Sequence, residues 1–405
     1  MPKKRVVITG VGVVSPLGIG KEEFWKSLKE GKSNFKQVTI FDTKGLKHNV
    51  AGEITDFDPK QLLGKSGLMD WDRASLLLSS AVKLALVDAG LEINSDNAHD
   101  TGVSVGTTFG SLHSISEFDK EAVRDGPRLA NPSVFTSTVG NSPASRVAIK
   151  FGIKGFNSTI STGMCSSLDA LDYGRDLMTL GKIKTVVSGT VEALSPQIFL
   201  GFHKLNYLSS ESLPFDKRRN GIVLSEGAAA YILEDLNEAK NRNAGIYAEI
   251  LGIGSAFDPA KFYKYNPKAA GMKQAMSAAL DDAGLKPENI DCIFANANSD
   301  KDADMAEANA INDVFGDYAH RIPVTSVKSA LGETYSASGG MSLISAIGAL
   351  KDGFIPAIAN LDKPDPASGL NYVAKTPVKK KLSRIMINAF GPNGESTVLI
   401  IGGIN

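Results

Sequence analysis

The sequence Leu-Val-Asp-Ala-Gly-Leu at residues 86–91 recurs as Leu-Asp-Asp-Ala-Gly-Leu at residues 280–285. In both copies the residues before the glycine have the spacing of an amphipathic helix. Glycine is expected just past the last helical turn, because it adopts a left-handed backbone without steric cost. Helix ends of this kind are common, so the flanking elements decide whether the repeat is significant.

The elements around the two copies occur in the same order. A glycine-rich strand is predicted before each helix, at residues 6–14 and 247–257. A polar loop and a second strand follow each helix, at residues 101–106 and 291–297. Repetition of a whole unit indicates an internal duplication. We therefore predict two related halves that pack as one body, residues 1–250 and 251–405.

Runs of β-branched residues alternate with helical periods along the whole chain. This alternation predicts an α/β protein whose sheets are covered by helices on both faces. The clearest predicted helices are residues 74–89 and 272–283. The predicted strands are residues 6–14, 101–108, 185–193, 228–234, 247–257, 291–297, 385–390 and 397–402.

The chain has no excess of either charge, since its 405 residues include 44 Lys and Arg and 44 Asp and Glu. A surface without a net basic field does not attract nucleic acid or an anionic membrane. No apolar stretch reaches the ~20 residues that a membrane-spanning helix needs. We therefore expect no nucleic acid and no membrane among the partners.

The cysteines, histidines and glycines bear on three other kinds of site. Cys165 and Cys292 are the only cysteines, which is too few for a disulfide scaffold and typical of a reducing cytoplasm. The five histidines are scattered without the spacing of metal ligands, so no metal site is predicted. Gly10 and Gly12 follow a strand, but the third glycine of a dinucleotide fingerprint is missing, and no such site is predicted.

Several segments resemble one family. Residues 5–18 (RVVITGVGVVSPLG), 214–228 (PFDKRRNGIVLSEGA) and 324–329 (VTSVKS) are similar to the corresponding segments of β-ketoacyl-acyl-carrier-protein synthases. The resemblance extends through essentially the whole chain in the right order. It implies the thiolase fold, a duplicated, five-layered αβαβα architecture that is usually dimeric, and so agrees with the repeat.

Enzymes of that family use three side chains and a backbone site. A cysteine at the start of a helix becomes a thiolate, because the helix N-terminus and a nearby imidazole favour the anion. The thiolate receives the acyl chain as a thioester. Two histidines assist decarboxylation of the malonyl extender and stabilise the enolate oxygen. Backbone N–H groups form an oxyanion hole for the thioester carbonyl.

The three catalytic positions hold other residues in this chain. The nucleophile segment, Thr-Ala-Cys-Ser-Ser-Ser-Leu in the family, is TGMCSSL at residues 162–168, which places Met164 at the cysteine position. The first histidine segment, Asn-Ala-His-Gly-Thr, is Asn-Ala-Asn-Ser-Asp here, with Asn298 in place of the histidine. The second, Lys-x-x-x-Gly-His, keeps Lys328 but ends in Glu333.

These replacements remove the chemistry that condensation needs. A thioether cannot ionise, and a carboxylate at the Glu333 position would repel a growing enolate. Pro392 lies where the family has the residue whose N–H completes the oxyanion hole, and proline has no N–H. Losing one such donor typically costs ~10²–10³ in rate. The four departures together predict a chain that does not condense acyl groups by the family mechanism.

Among inactive relatives, the chain resembles the chain length factor, or ketosynthase β subunit, of type II polyketide synthases. The loop between residues 297 and 304 has the length found in that subfamily and is two residues shorter than in an active ketosynthase. The segments GSAFDP at residues 254–259 and GETYS at residues 332–336 are also similar. One position differs, because many chain length factors have glutamine where this chain has Met164.

The resemblance implies a heterodimer with an active ketosynthase α subunit of a polyketide or aryl-polyene-like synthase. The chain would help set the length of a polyketide held by an acyl carrier protein. That carrier brings the phosphopantetheine arm, so the chain itself needs no cofactor. Phe109 matches a position lining the acyl pocket, and Val134 and Phe135 match a segment reaching toward the partner's tunnel. Ordinary core packing is the alternative for these residues.

Other interpretations stay open at this point. Cys165 could serve an active β-ketoacyl synthase or acyltransferase as a displaced nucleophile. A shift of one residue turns a helical side chain by about 100°, which favours a packed core thiol instead. The chain could also be a malonyl-carrier-protein decarboxylase, or a scaffold without effect on the product. Lys328 and Glu333 either form an ion pair with each other, or each charge has other structural partners.

Overall fold

The computed structural model describes residues 4–260 and 263–404. Strands and helices alternate along the chain, as the sequence predicts. The strands are β1 (Val6–Ser15), β2 (Gly18–Ile19), β3 (Lys36–Gln37), β4 (Val50–Ala51), β5 (Thr101–Gly106), β6 (Asn157–Ile160), β7 (Thr185–Glu192), β8 (Gly227–Asp235), β9 (Ala248–Phe257), β10 (Cys292–Phe294), β11 (Pro323–Thr325), β12 (Phe354–Ile355), β13 (Asn371–Tyr372), β14 (Val378–Lys379), β15 (Arg384–Phe390) and β16 (Glu395–Gly402).

Helices cover the sheet and fill the space between its halves. They are α1 (Lys21–Lys29), α2 (Pro59–Leu63), α3 (Arg73–Asp88), α4 (Leu112–Asp125), α5 (Ser142–Phe151), α6 (Ser166–Thr179), α7 (Pro196–Lys204), α8 (Leu236–Asn241), α9 (Ala270–Ala283), α10 (Lys301–Phe315), α11 (Lys328–Leu331) and α12 (Ser338–Asp352). Within the described ranges, no helix is long and apolar enough to cross a membrane.

The two halves of the main sheet have the same strand order. The first half runs β1-β8-β7-β5-β6, and the second runs β9-β16-β15-β10-β11 with β13 beyond it. In each half the first two neighbouring pairs are antiparallel and the next two are parallel. This shared topology confirms the predicted duplication. The division between residues 250 and 251 stays a prediction.

Helices form three layers around the two half-sheets. On one outer face α3 packs against β1 and β8, and on the other α9 packs against β9 and β16. Between the halves, α6 and α12 contact strands of both. Residues 338–349 of α12 are all buried, as expected for a helix that has only small or apolar residues on every side. The layers follow the predicted αβαβα order.

Two equivalent contacts explain the repeated sequence. Oδ2 of Asp88 accepts a hydrogen bond from the backbone N–H of Val11 at 2.9 Å. Oδ2 of Asp282 accepts one from the backbone N–H of Ile253 at 3.1 Å. These aspartates are the third residues of the two sequence copies, so each carboxylate fastens its helix to the glycine-rich strand beneath it.

The glycines of β1 and β9 allow those helices to approach closely. A Cβ atom on Gly12 would lie 2.0 Å from the carbonyl oxygen of Ala81 in α3. One on Gly254 would lie 2.3 Å from the carbonyl oxygen of Ala275 in α9. Any side chain at these positions would push the helix off the sheet. The Gly10-x-Gly12 pattern is therefore a packing feature.

Candidate functional site

The structure brings two of the four altered positions, Asn298 and Glu333, into one buried network with the retained Lys328. Nδ2 of Asn298 donates a hydrogen bond to Oε2 of Glu333 at 2.7 Å, and Nζ of Lys328 lies 2.9 Å from the same oxygen. Lys328 also donates to Oδ1 of Asn296 at 2.9 Å. Lys328 and Glu333 are 2% and 1% exposed, so they form a buried ion pair.

Both carboxylate oxygens of Glu333 are fully engaged. Besides Asn298 and Lys328 on Oε2, Oε1 accepts hydrogen bonds from the backbone N–H of Tyr335 at 2.9 Å and from Oγ of Ser338 at 2.5 Å. Four donors around one carboxylate satisfy the hydrogen-bonding capacity of both its oxygens. A carboxylate held in this way cannot act as the neutral or cationic donor that an enolate oxygen requires.

Met164 lies in the single 3₁₀ turn Gly163–Cys165, which leads directly into α6. Its side chain is buried, and its sulfur lies 3.9 Å from Oη of Tyr265. A thioether sulfur accepts a hydrogen bond only weakly and carries no proton that could be removed. The local backbone therefore resembles a nucleophile turn, whereas the side chain at its apex is chemically inert.

Cys165 faces away from this turn into the protein interior. Its Sγ is fully buried and donates to the backbone carbonyl of Ala389 in β15 at 3.1 Å. Burial, together with the carboxylates of Asp169 and Glu395, raises the pKa of this thiol well above its usual range. A buried thiol that stays protonated is a poor nucleophile. The geometry agrees with a packed core residue.

The turn between β15 and β16 contains Pro392, as expected, and it is followed by Glu395, the first residue of β16, which sequence reasoning missed. The backbone N–H of Gly391 donates to the carbonyl oxygen of Glu395 at 2.9 Å, and Asn393 N–H donates to its Oε2 at 3.1 Å. Oε1 of Glu395 accepts from the backbone N–H of Met164 at 3.4 Å. The only sequence signal was a charged residue directly after a glycine-containing turn.

Phe109 lies in an apolar cluster that includes Met164. Its ring centroid is 4.7 Å from that of Tyr335, whose backbone N–H binds Glu333. We call this group the Met164 cluster. Its main members are Met164, Phe109, Leu194, Ile198, Phe199, Phe202 and Tyr335.

Val134 and Phe135 lie elsewhere, in the short turn Val134–Ser137 at the surface. The side chain of Phe135 is 57% exposed and contacts the ring of Phe118 in α4 at a centroid distance of 6.0 Å. Neither residue belongs to the Met164 cluster of its own chain. If Val134 and Phe135 line a tunnel, as the sequence predicts, that tunnel must therefore include a second subunit.

A second missed carboxyl group holds the Phe109 loop. Glu192 ends β7 fully buried, and its Oε1 accepts hydrogen bonds from the backbone N–H groups of Thr108 at 2.6 Å and Phe109 at 3.2 Å. The hydroxyl of Ser336 donates to the same oxygen. Burial raises the pKa of Glu192 to about 7. Among the described residues, its other oxygen Oε2 has no hydrogen-bond partner.

The part of the chain that the structure describes contains no cluster of three or more His, Cys, Asp or Glu side chains suited to a metal ion. The networks at Glu333, Glu192 and Glu395 each consist of one carboxylate surrounded by protein donors. The chemistry available at this site is therefore that of hydrogen-bond donors, one ion pair and an apolar cluster.

Two family models match the chain. "Beta-ketoacyl synthase, N-terminal domain" matches residues 3–239, and "Beta-ketoacyl synthase, C-terminal domain" matches residues 247–362. A similar curated protein is 3-oxoacyl-[acyl-carrier-protein] synthase 2 of Coxiella burnetii, 34% identical over 100% of both chains. Another is the tetracenomycin polyketide synthase ketoacyl synthase alpha subunit of Streptomyces glaucescens, 32% identical over 98% of this chain and 97% of the relative.

Solved structures show the same architecture over the full length. The ishigamide ketosynthase/chain length factor has a TM-score of 0.94 and 31% sequence identity, and covers 100% of both chains. A type II polyketide synthase acyl-carrier protein complex with its ketosynthase has a TM-score of 0.90 and 28% identity, covering 99% of this chain and 100% of that one. The fold is thus the thiolase-like ketosynthase fold, and the chain belongs to the beta-ketoacyl synthase family.

Proposed function

We propose that this chain is a chain length factor: a ketosynthase-fold subunit without condensing chemistry that pairs with an active ketosynthase α subunit. The observation that carries the proposal is the buried Asn298–Lys328–Glu333 network at the positions of the two family histidines. This network offers an anion where the family reaction needs donors. Met164 at the nucleophile position and Pro392 in the oxyanion turn support the same conclusion.

The surface supports a protein partner. In α4 and the segment after it, Val123, Leu129, Phe135 and Val139 are all exposed, and Val123 is 87% exposed. Exposed apolar side chains grouped in this way are typical of protein interfaces. Strand β6 lies at the end of the sheet with β5 as its neighbour, which leaves an edge for pairing. Two structural relatives are a ketosynthase/chain length factor and a ketosynthase with its acyl-carrier protein.

In this proposal Phe109, Val134 and Phe135 bound a polyketide tunnel shared by the two subunits. Phe109 closes it from within its own subunit, and Val134 and Phe135 reach toward the partner's side. The acyl carrier protein supplies the phosphopantetheine arm, so the chain itself holds no cofactor. The two free, buried cysteines suit a reducing cytoplasm as the place of action.

Co-expression with an active paralogue and its carrier protein tests the proposal. We expect a 1:1 heterodimer that buries on the order of 2,000 Å² or more and that elongates malonyl units. The chain alone should form no product. A stable homodimer that ignores the paralogue, or condensation by the chain alone, would contradict the proposal. A complex whose product length never responds to changes in this chain would favour a scaffold instead.

A further inference from the structure

A cavity beside the Met164 turn contains a carboxylate supplied by the chain itself. Glu395, the first residue of β16, lines an open cavity of about 480 Å³ together with Gly163 and Asn393. One of its oxygens accepts a hydrogen bond from the backbone N–H of Met164 at 3.4 Å, and the other accepts one from Asn393 at 3.1 Å. A side chain from the far end of the sequence thus meets the backbone of the turn before α6.

Two glycines provide the space for this carboxylate. A Cβ atom on Gly163 would lie 2.2 Å from Oε1 of Glu395, and one on Gly391 would lie 1.8 Å from it. Both distances are far shorter than a van der Waals contact, so any larger residue would displace the carboxylate. The family segment compared above has alanine where this chain has Gly163. Glycine in place of that alanine therefore leaves the space that the Glu395 carboxylate occupies.

The position of the carboxylate has a chemical consequence. In the family, backbone N–H groups form an oxyanion hole for the thioester carbonyl, and we take the N–H at the nucleophile position to be one of them. Here that N–H belongs to Met164 and points to Oε1 of Glu395. A second carboxylate in the same cavity, that of Asp169, accepts hydrogen bonds from the hydroxyls of Thr162 and Thr397. Two carboxyl groups in one cavity also disfavour an anionic acyl extender.

We propose that Glu395 is an internal occupant of the acyl-carbonyl site and excludes thioesters from this subunit. The polyketide is then confined to the partner's nucleophile. This inference rests on the proposed function in one respect, namely that the Met164 turn is the vestigial acyl site. It predicts that removing the Glu395 side chain opens the site, whether or not the subunit sets product length.

The test reintroduces a nucleophile with and without the carboxylate. The proteins are the wild type, Met164→Cys, Met164→Cys/Glu395→Thr and Met164→Cys/Glu395→Gln, and the probe is octanoyl-pantetheine. The introduced thiolate attacks the thioester carbonyl carbon, a new carbon–sulfur bond forms, and the pantetheine thiolate leaves and takes a proton from water. Intact-protein mass spectrometry measures the octanoyl adduct over time, and thermal melting verifies that each variant is folded.

We expect Met164→Cys/Glu395→Thr to acylate at least ~10-fold faster than Met164→Cys, comparable to the effect of one oxyanion donor. Glutamine keeps the volume and an acceptor oxygen, so Met164→Cys/Glu395→Gln should stay within about threefold of Met164→Cys. Equal acylation rates of Met164→Cys and Met164→Cys/Glu395→Thr, including no adduct on either protein, would overturn the proposal. An equal gain with glutamine would overturn it as well, because charge and not occupancy would then control access.

The wild type separates this inference from the proposed function. If the wild type forms an octanoyl adduct on Cys165, the chain is an enzyme in its own right and the proposed function fails. That result leaves the comparison between the Glu395 variants unaffected. A tenfold gain in the threonine variant with no effect of the chain on product length would retain Glu395 as the occupant and reject the length-setting role.

Discussion

Nζ of Lys328 lies 2.9 Å from Oε2 of Glu333, and both side chains are almost completely buried. Taking two charges out of water costs several kcal/mol per ion, which is offset only when geometry and further hydrogen bonds are good. Asn296 accepts a second hydrogen bond from the lysine, and Asn298, Tyr335 and Ser338 donate to the carboxylate. The Lys328–Glu333 network is therefore an integral part of the folded core.

Breaking that pair should be strongly destabilising. Glu333→Ala leaves the Lys328 ammonium buried without its counter-ion, and we expect the free energy of unfolding to fall by about 3–5 kcal/mol. Lys328→Met/Glu333→Gln removes both charges. Its cost in the free energy of unfolding should be clearly less than the sum of the costs of Lys328→Met and Glu333→Gln alone, because the two residues are in contact. Denaturant unfolding measures all of them. Strict additivity would show that the two charges are satisfied independently.

The isolated chain should not form an acyl enzyme. Cys165 is buried and protonated, and Met164 cannot accept an acyl group, so incubation with acyl or malonyl carrier protein should give no mass adduct and no condensed product. Intact-protein mass spectrometry of the wild type and of Cys165→Ser checks this. An adduct present in the wild type and absent from Cys165→Ser would establish the alternative of a displaced nucleophile.

Phe109 should control product length if it bounds the tunnel. Phe109→Leu keeps an apolar side chain but shortens it, so in the reconstituted complex we expect longer products while turnover stays within a few-fold. Val134→Ala should act in the same direction from the interface. Chromatography of the products measures the distribution.

A matched control distinguishes the tunnel from ordinary core packing. Phe315 is buried in a separate cluster of the second half, so Phe315→Leu should lower the melting temperature and leave the product distribution unchanged. If Phe109→Leu behaves like this control, Phe109 is a core residue. If neither Phe109→Leu nor Val134→Ala changes the distribution, the length-setting role is wrong.

The stability of the chain should depend on pH through Glu192. Burial raises its pKa in the folded state to about 7, so between its usual range and pH 7 the folded protein holds a proton that the unfolded chain releases. The protonated Glu192 side chain therefore contributes to the free energy of unfolding at low pH, and this contribution falls as the pH rises to 7. Glu192→Gln should remove that fall, which amounts to about 1–3 kcal/mol between pH 5 and 8.

Denaturant unfolding at both pH values measures this effect, with the exposed Glu92→Gln as the control. The control should follow the wild type at each pH. If Glu192→Gln also follows the wild type, the carboxyl group is charged in the folded protein, and the hydrogen bonds from Thr108, Phe109 and Ser336 outweigh the effect of burial.

The sequence by itself determined the fold class and the duplication, and it identified the residues that stand at the family's catalytic positions. The duplication could be predicted because it depends on local signals: a helix of the right period, a glycine cap and a glycine-rich strand, each present twice. Asp88 and Asp282 have the same role because the two segments fold in the same way. Met164, Asn298, Glu333 and Pro392 could be identified because the identity of a residue at a family position needs no coordinates.

Only the tertiary structure decided which contacts the residues at these positions make. The hydrogen bond between Asn298 and Glu333 spans 35 positions, and the contact between Met164 and Glu395 spans 231. Such contacts depend on how loops from different strands meet. The periodicity of the local sequence carries no information about that. The short strands β6 and β11 were missed because three or four residues carry no measurable alternation, and their pairing comes from neighbouring strands. Glu192 gained its role from burial, and Glu395 gained its role from a contact with the backbone of a distant turn. Both are properties of the packed molecule and not of the residue.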